Sequence, residues 1–421
     1  MLENAISWLR DFIWGVPMIV LLFGTHLFLT FRLKFIQRHT FRAVKLSTQS
    51  DDGAHGDISQ FGALATALAA TIGTGNIIGV STAIALGGPG AVFWCYTIER
   101  GLGIKWLAVL FAVFAVLATF GAGCTVQSHA ITDVIRTSFG VNPAISGIVV
   151  TILTAVVILG GVKQISRVCE KLVPFMALFY IIGCAVILFL NRAFLLPALG
   201  TIVTSAFSLK SITGGFLGSA MMIACKYGVA RGLFSNESGL GTAPIAAASA
   251  QTKNPVRQAL VSMTGTFWDT VIVCAITGIV IVSTQLRLPE LYVNVKDDAL
   301  TQIAFSQLPY VGSYVLAIAL SIFAFTTILG WSYYGERCVT YLFGAKRVMI
   351  YRIVFLVVLF YGAIADLGII WTFSDLMNGL MAFPNLVSIL LLSGVIVKET
   401  KHYLWDKHLD EHAPPAPVVD E

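Results

Sequence analysis

About ten apolar stretches, each long enough or nearly long enough to cross a bilayer, run through this 421-residue chain, and no other feature constrains its fold as strongly. They fall at 16–31, 60–86, 106–127, 145–159, 172–190, 216–225, 260–282, 314–331, 353–365 and 376–397. A segment inside lipid must satisfy its own backbone, so such a chain folds as a helical bundle or a closed barrel. The stretches lack the alternation of a barrel strand. The reading is an all-α polytopic membrane protein. Composition agrees: 57% of residues are hydrophobic and 12% are charged, about half the charge of an ordinary soluble domain. The first stretch exceeds a signal-peptide core, and most of the basic residues near it follow it; a retained helix is expected, not a cleaved leader.

The seven cysteines have no metal spacing and read as small apolar filler. No catalytic order, phosphate loop or zinc signature is present, so an enzyme is not expected, nor a partner nucleic acid. A channel is the weaker rival, because no filter sequence supports it.

Basic residues of membrane proteins gather in cytoplasmic loops. The segment Arg32 to Lys45, the loop "GGVKQISRVCEK", the region of Arg231, Lys253 and Arg257, the loop of Arg337 to Arg352 and the tail with Lys398, Lys401 and Lys407 are all expected inside, with the N-terminus outside. From Lys171 onward the crossings alternate as required. Before Lys163 one is missing, and its natural place is "GGPGAVFWCYTIERGLG", residues 87–103, too short and too charged for an ordinary membrane helix.

Two stretches are interrupted by glycine: "LAATIGTGNIIGV" around Gly73, and "KYGVARGLFSNESGLGTAP" around Gly228. Glycine inside a helix costs roughly 1 kcal/mol, and freed backbone groups in lipid cost several unless something binds them. Transporters built from inverted repeats place such breaks in matching positions, with half-helix N-termini facing a carboxylate and half-helix C-termini facing a cation. Gly73 and Gly75 are therefore read as a binding break, to which Thr71, Thr74 and Asn76 add oxygens; the rival is close packing of the glycines on a neighbouring helix. Thr326 and Thr327 in "FAFTTILGW" either ligate a sodium ion with carbonyls near Ala69 and Ile72 or bond back to their own helix. Arg231 and Glu237 read as an ion pair near a cytoplasmic end or as solvated loop charges. Asp269 and Asp375 lie in or near spans, where acids suggest function, although helix-end positions are a strong rival for Asp375. Gln127 and His129 are placed where a span ends.

With these residues in hand, the chain resembles the alanine or glycine:cation symporters, the sodium:alanine symporter family. The likeness rests on "GTGNIIGV", "GGPGAVFW", "IERGLGIKWLAVLFAVF", "YGVARGLFSNESGLGTAPIAAASA", "PVRQALVSMTGTFWDT", "FAFTTILGWSYYGERC" and "MAFPNL". It implies a LeuT-like fold of inverted repeats with one extra N-terminal helix, and eleven spans where about ten are clear here. The layout is one transporter domain: the extra helix at 13–32, a first repeat at 59–190 lacking most of its second helix, a second repeat at 213–398, and a cytoplasmic tail at 399–421. It implies Na+-coupled uptake of a small neutral amino acid, alanine or glycine, across a prokaryotic plasma membrane, with the bilayer as partner and no obligatory protein partner. By the same likeness, substrate would sit at Thr71, Gly73, Thr74, Gly75, Asn76, Tyr227 and Gly228. Sodium would sit at Ala69, Ile72, Thr326 and Thr327. The chain departs from the family pattern near Trp94–Tyr96, where roughly thirty residues, the rest of a helix and its loop, are absent. The alternative outcome is an inactive or destabilised remnant.

Overall fold

The computed structural model describes residues 2–49, 56–74, 76–77, 105–207, 228, 231–232, 235–293, 295, 299–365 and 368–413. Among these, helices account for almost all regular structure. Seven are long and apolar enough to cross a membrane: Asn4–Arg32, Trp106–Phe139, Gly161–Leu190, Pro255–Arg287, Gly312–Phe343, Ala345–Ile364 and Ile370–Trp405. Pro143–Ile158 and Arg192–Ala206 are shorter apolar helices, and Gln60–Thr71 is the first half of the interrupted stretch. Residues 87–103, the expected place of the missing crossing, lie outside the described residues, as does the stretch 216–225.

Local chemistry sets many of the boundaries. Ser59, Asn142 and Asn254 each cap a helix with a side-chain oxygen that accepts from a backbone N–H one turn in. Proline follows directly in the last two, where its missing N–H is harmless. The segment "GGVKQISRVCEK" is not the loop its charges suggest. It forms the first turns of Gly161–Leu190, with Lys163, Arg167 and Lys171 on one exposed face. Their spacing of four is one helical turn, so the charges mark a helix reaching past the apolar zone.

Gly312–Phe343 lies at the centre, with 72% of its apolar window buried inside the protein. Pro143–Ile158 instead exposes Ile145, Ile148, Val149, Ile152 and Val156 along one stripe, the surface expected to meet lipid. Helices in lipid gain little from mutual apolar contact, so they rely on close approach. A Cβ at Gly330 would sit 2.6 Å from the Cβ of Ala70, and one at Gly123 would sit 2.3 Å from the Cβ of Trp331.

Contacts between distant segments assign the two ends of the bundle. At one end Lys34 lies over the Trp405 ring, Arg257 pairs with Asp410, and Asn254 donates to the carbonyls of Leu409 and Glu411. Arg352 pairs with Glu336 at the same end of Gly312–Phe343. At the other end the Phe139 ring meets Tyr314, and Arg287 donates to Asn191. The basic clusters thus share one end, with one exception. Arg231 pairs with Asp375 at 3.0 Å, and Asp375 lies about 35 Å of helix from Lys398. Arg231 therefore sits toward the end opposite Lys253, Arg257 and the tail. Sequence neighbours mislead for Arg231, because it stands within the second interruption and the chain runs on through the rest of it before Lys253 and Arg257.

Candidate functional site

The helix Gln60–Thr71 stops because one amide turns away. In a continued helix, the N–H of Gly73 would bond to the carbonyl of Ala69. Here it donates to Oδ1 of Asn76 at 2.9 Å, and Ile72 has left helical geometry with ψ 87°. The freed Ala69 carbonyl accepts from the hydroxyl of Thr327 at 3.1 Å. Thr327 also donates to its own helix, at the Phe323 carbonyl, 3.0 Å away. The break therefore faces the middle of Gly312–Phe343, and Gly73 makes the approach possible. A Cβ there would lie 2.2 Å from Thr327 Oγ1, closer than real atoms pack.

Asn76 ties this break to two other elements. Its amide donates to Oδ1 of Asp269 at 2.7 Å and approaches Cys274 Sγ at 3.3 Å. Ser235, near the second interruption, donates to both oxygens of Asp269, and Thr270 to one of them. Asp269 is fully buried. It stands in Phe267–Cys274, a widened π-helical stretch, a distortion that often marks functional positions.

A small cavity of about 10 Å³ opens beside the break. Thr71, Gly73, Gln127, Thr327 and Trp331 line it, with Ala70 and Ala122. It is room for one water-sized occupant, so an amino acid requires the walls to part. Two buried polar atoms here have no hydrogen-bond partner among the described residues: Thr74 Oγ1 and Gln127 Oε1. Such atoms are expensive in an apolar interior, and they give an incoming polar molecule something to bond.

Of the expected site residues, the structure gathers Ala69, Thr71, Ile72, Gly73, Thr74, Asn76 and Thr327 at one depth. Thr326 is buried one position away, but its hydroxyl donates to the Phe323 carbonyl and to Met176 Sδ, not to the break. Gly228 is buried, while Gly75 and Tyr227 lie outside the described residues. Gln127 and Trp331 were not anticipated at the site. The sequence places Gln127 at the end of a span, yet the helix runs on through the π turn Gly121–Thr125 to Phe139. Trp331 had a legible signal: it is four residues after Thr327 and so on the same helical face.

Two expected roles are corrected. Arg231 and Glu237 are not partners, since Arg231 pairs with Asp375. Glu237 is not a solvated loop charge either, being 2% exposed.

Comparison with known proteins bears on this arrangement. The model of the sodium:alanine symporter family matches residues 1–98 and 95–416. The two matches meet where the family pattern was expected to break. The sodium/alanine symporter AgcS of Methanococcus maripaludis is 47% identical over 442 positions, covering 95% of this chain and 97% of that protein. The alignment is longer than the 421 residues here, so AgcS carries residues that this chain lacks. A probable sodium/glutamine symporter, GlnT of Bacillus subtilis, is 34% identical across 96% of this chain and 91% of its own length. Among solved structures, a Na+-coupled sialic acid symporter in a substrate-bound, outward-open state superposes with a TM-score of 0.57 at 15% identity, covering 94% of this chain and 93% of that one. That likeness places the fold in the LeuT-like class.

Proposed function

The chain belongs to the sodium:alanine symporter family, whose members are transporters and not enzymes, and from that premise we propose that it couples inward Na+ movement to uptake of alanine or glycine across a prokaryotic plasma membrane. The observation that carries this reading is the freed Ala69 carbonyl facing the Thr327 hydroxyl. Both are hard oxygen donors, suited to an alkali cation. Sodium would take these oxygens, with Ile72 and Thr326 as further candidates, and would replace the hydroxyl's present hydrogen bond to Ala69. The amino acid's carboxylate would meet the backbone N–H groups at Gly73 and Gly75, with Thr71, Thr74, Asn76, Tyr227 and Gly228 around it.

The shared helix Gln60–Thr71 is what links the two ligands. A cation at its broken C-terminal end and a carboxylate on the following amides each stabilise the same unwound turn, so each raises affinity for the other. Alanine or glycine is proposed from the likeness to AgcS, and uptake of labelled glutamine beside labelled alanine tests the choice.

One observation favours a second reading. The family match breaks at 95–98, and residues present in AgcS are absent. On that reading the chain is a destabilised remnant without transport. Sodium-driven uptake of labelled alanine into vesicles holding the purified protein separates the two. Saturable uptake that needs an inward Na+ gradient supports the symporter; a rate equal to empty vesicles refutes it.

A further inference from the structure

Glu237 stands in Ser235–Leu240, a stretch buried at every position, and is itself 2% exposed. Its φ is +57°, a left-handed backbone that a residue with a Cβ rarely adopts. Oε2 accepts the Thr242 hydroxyl at 2.6 Å. Oε1 has no hydrogen-bond partner among the described residues. Trp331 and Tyr334 of Gly312–Phe343 face the carboxyl, and the Tyr334 hydroxyl is also buried without a partner.

Among the described residues, no cation acts on the Glu237 carboxyl. Asp269, on Phe267–Cys274, is near enough for its charge to disfavour an ionised Glu237, and Cys169, on Gly161–Leu190, is near enough to act on Tyr334. Arg231, the nearest basic residue in sequence, is engaged with Asp375. With no cation near it among the described residues, an ionised Glu237 would be a buried charge within the field of a second acid, an arrangement proteins avoid by neutralising the group. A neutral carboxylic acid fits instead. One oxygen keeps the bond from Thr242, and the carboxyl O–H is placed toward the Tyr334 hydroxyl, which can accept from it.

We propose that Glu237 is a proton-binding site of the transporter, filled in the closed arrangement seen here and emptied to water when the Trp331–Tyr334 face swings away. Binding adds one proton to the carboxylate and changes no other bond. Trp331 connects this event to the ligand site, because the same ring lines the cavity beside Gly73 and Thr327. Closure around the ligands therefore takes up a proton, and acidification favours it. Only this coupling to uptake rests on the symporter reading; the proton site stands on the buried carboxyl alone.

Infrared pH titration of the purified full chain tests the site without any transport. The wild type is expected to show a protonated-carboxyl C=O band near neutral pH that Glu237→Gln lacks and Asp269→Asn retains. The same band surviving in Glu237→Gln, or no such band in the wild type, overturns the proposal. Should Glu237→Gln fail to fold, Thr242→Val serves. Removing a hydrogen bond to the carboxyl should move the C=O band in wavenumber and its titration midpoint to higher pH, and an unmoved band overturns the proposal. In vesicles, wild-type alanine uptake should fall severalfold from pH 6 to pH 8.5 while Glu237→Gln stays flat; parallel profiles overturn the coupling. If the wild type shows no sodium-driven alanine uptake at any pH, the symporter reading fails while the infrared result still decides the proton site.

Discussion

Thr327 donates its hydroxyl to the carbonyl of Ala69 across 3.1 Å, where the Gly73 amide that would cap that carbonyl in a continued helix has gone to Asn76 instead. Thr327→Val keeps the shape and removes the oxygen. The half-saturating Na+ concentration for alanine uptake is expected to rise about tenfold or more, the equivalent of about 1.4 kcal/mol, with maximal uptake regained at high Na+. Thr326→Val should do less, because that hydroxyl is turned toward Met176 and Phe323. Uptake measured against Na+ concentration for both variants checks the ranking; equal shifts would place the two hydroxyls in the same role.

Gly73→Ala asks whether the close approach at the break is required. The added methyl would lie 2.2 Å from Thr327 Oγ1, so the broken segment and the central helix must separate. Uptake should drop to background while the protein still elutes as a folded species. Unchanged uptake would mean that Gly73 and Thr327 need not meet during transport.

Asp269→Ala tests the tie between the break and the π-helical stretch. It removes the carboxylate acceptor of the Asn76 amide and the Ser235 hydroxyl and leaves them the weaker Cys274 Sγ at 3.3 Å, at about 1–3 kcal/mol for poorly satisfied buried groups. Thermal unfolding in detergent should begin several degrees lower. Asp269→Asn keeps an acceptor and should lose less.

How far the site was legible in the sequence follows from the kind of signal each residue leaves. Gly73 and Gly75 stand out because glycine is out of place in a membrane helix, and Thr327 because paired hydroxyls interrupt an apolar face. Gln127 left a misleading signal: "GAGCT" before it resembles a helix end, whereas a π turn carries the helix through. Glu237 and Arg231 are close in sequence and opposite in charge, which suggests a pair. A left-handed backbone and a long helical neighbour separate them instead. Span positions were legible since bilayer thickness sets a length. Helix ends were not, since Gly161–Leu190 and Trp106–Phe139 run beyond the apolar zone.

Inserting a full helix and its loop at Trp94–Tyr96, beside the point where the family match divides, should stabilise the protein. A full membrane helix there would bury apolar area against its neighbours and supply the crossing that the distribution of basic residues leads one to expect. The restored chain should melt higher in detergent and take up alanine faster per molecule. Equal melting and equal rates from both chains would mean that residues 87–103 already do what a full helix does.

The contacts that set the two ends of the bundle predict which side each surface meets. Tyr310 is 97% exposed, just before the start of Gly312–Phe343, at the end marked by Phe139 and Tyr314. The Asp410 side chain is 80% exposed at the end marked by Arg257. Single cysteines at these two positions should therefore react with a membrane-impermeant thiol reagent from opposite sides of intact cells, Tyr310→Cys from outside by positive-inside reasoning. The described native cysteines are all buried, and the unsubstituted protein supplies the background for Cys95 and Cys225. A third cysteine in place of Arg231, protected or exposed according to the state of the break, should label only from the Tyr310 side. Labelling with Asp410→Cys instead would return Arg231 to the basic end and undo the pairing with Asp375 as a feature of the membrane-embedded protein.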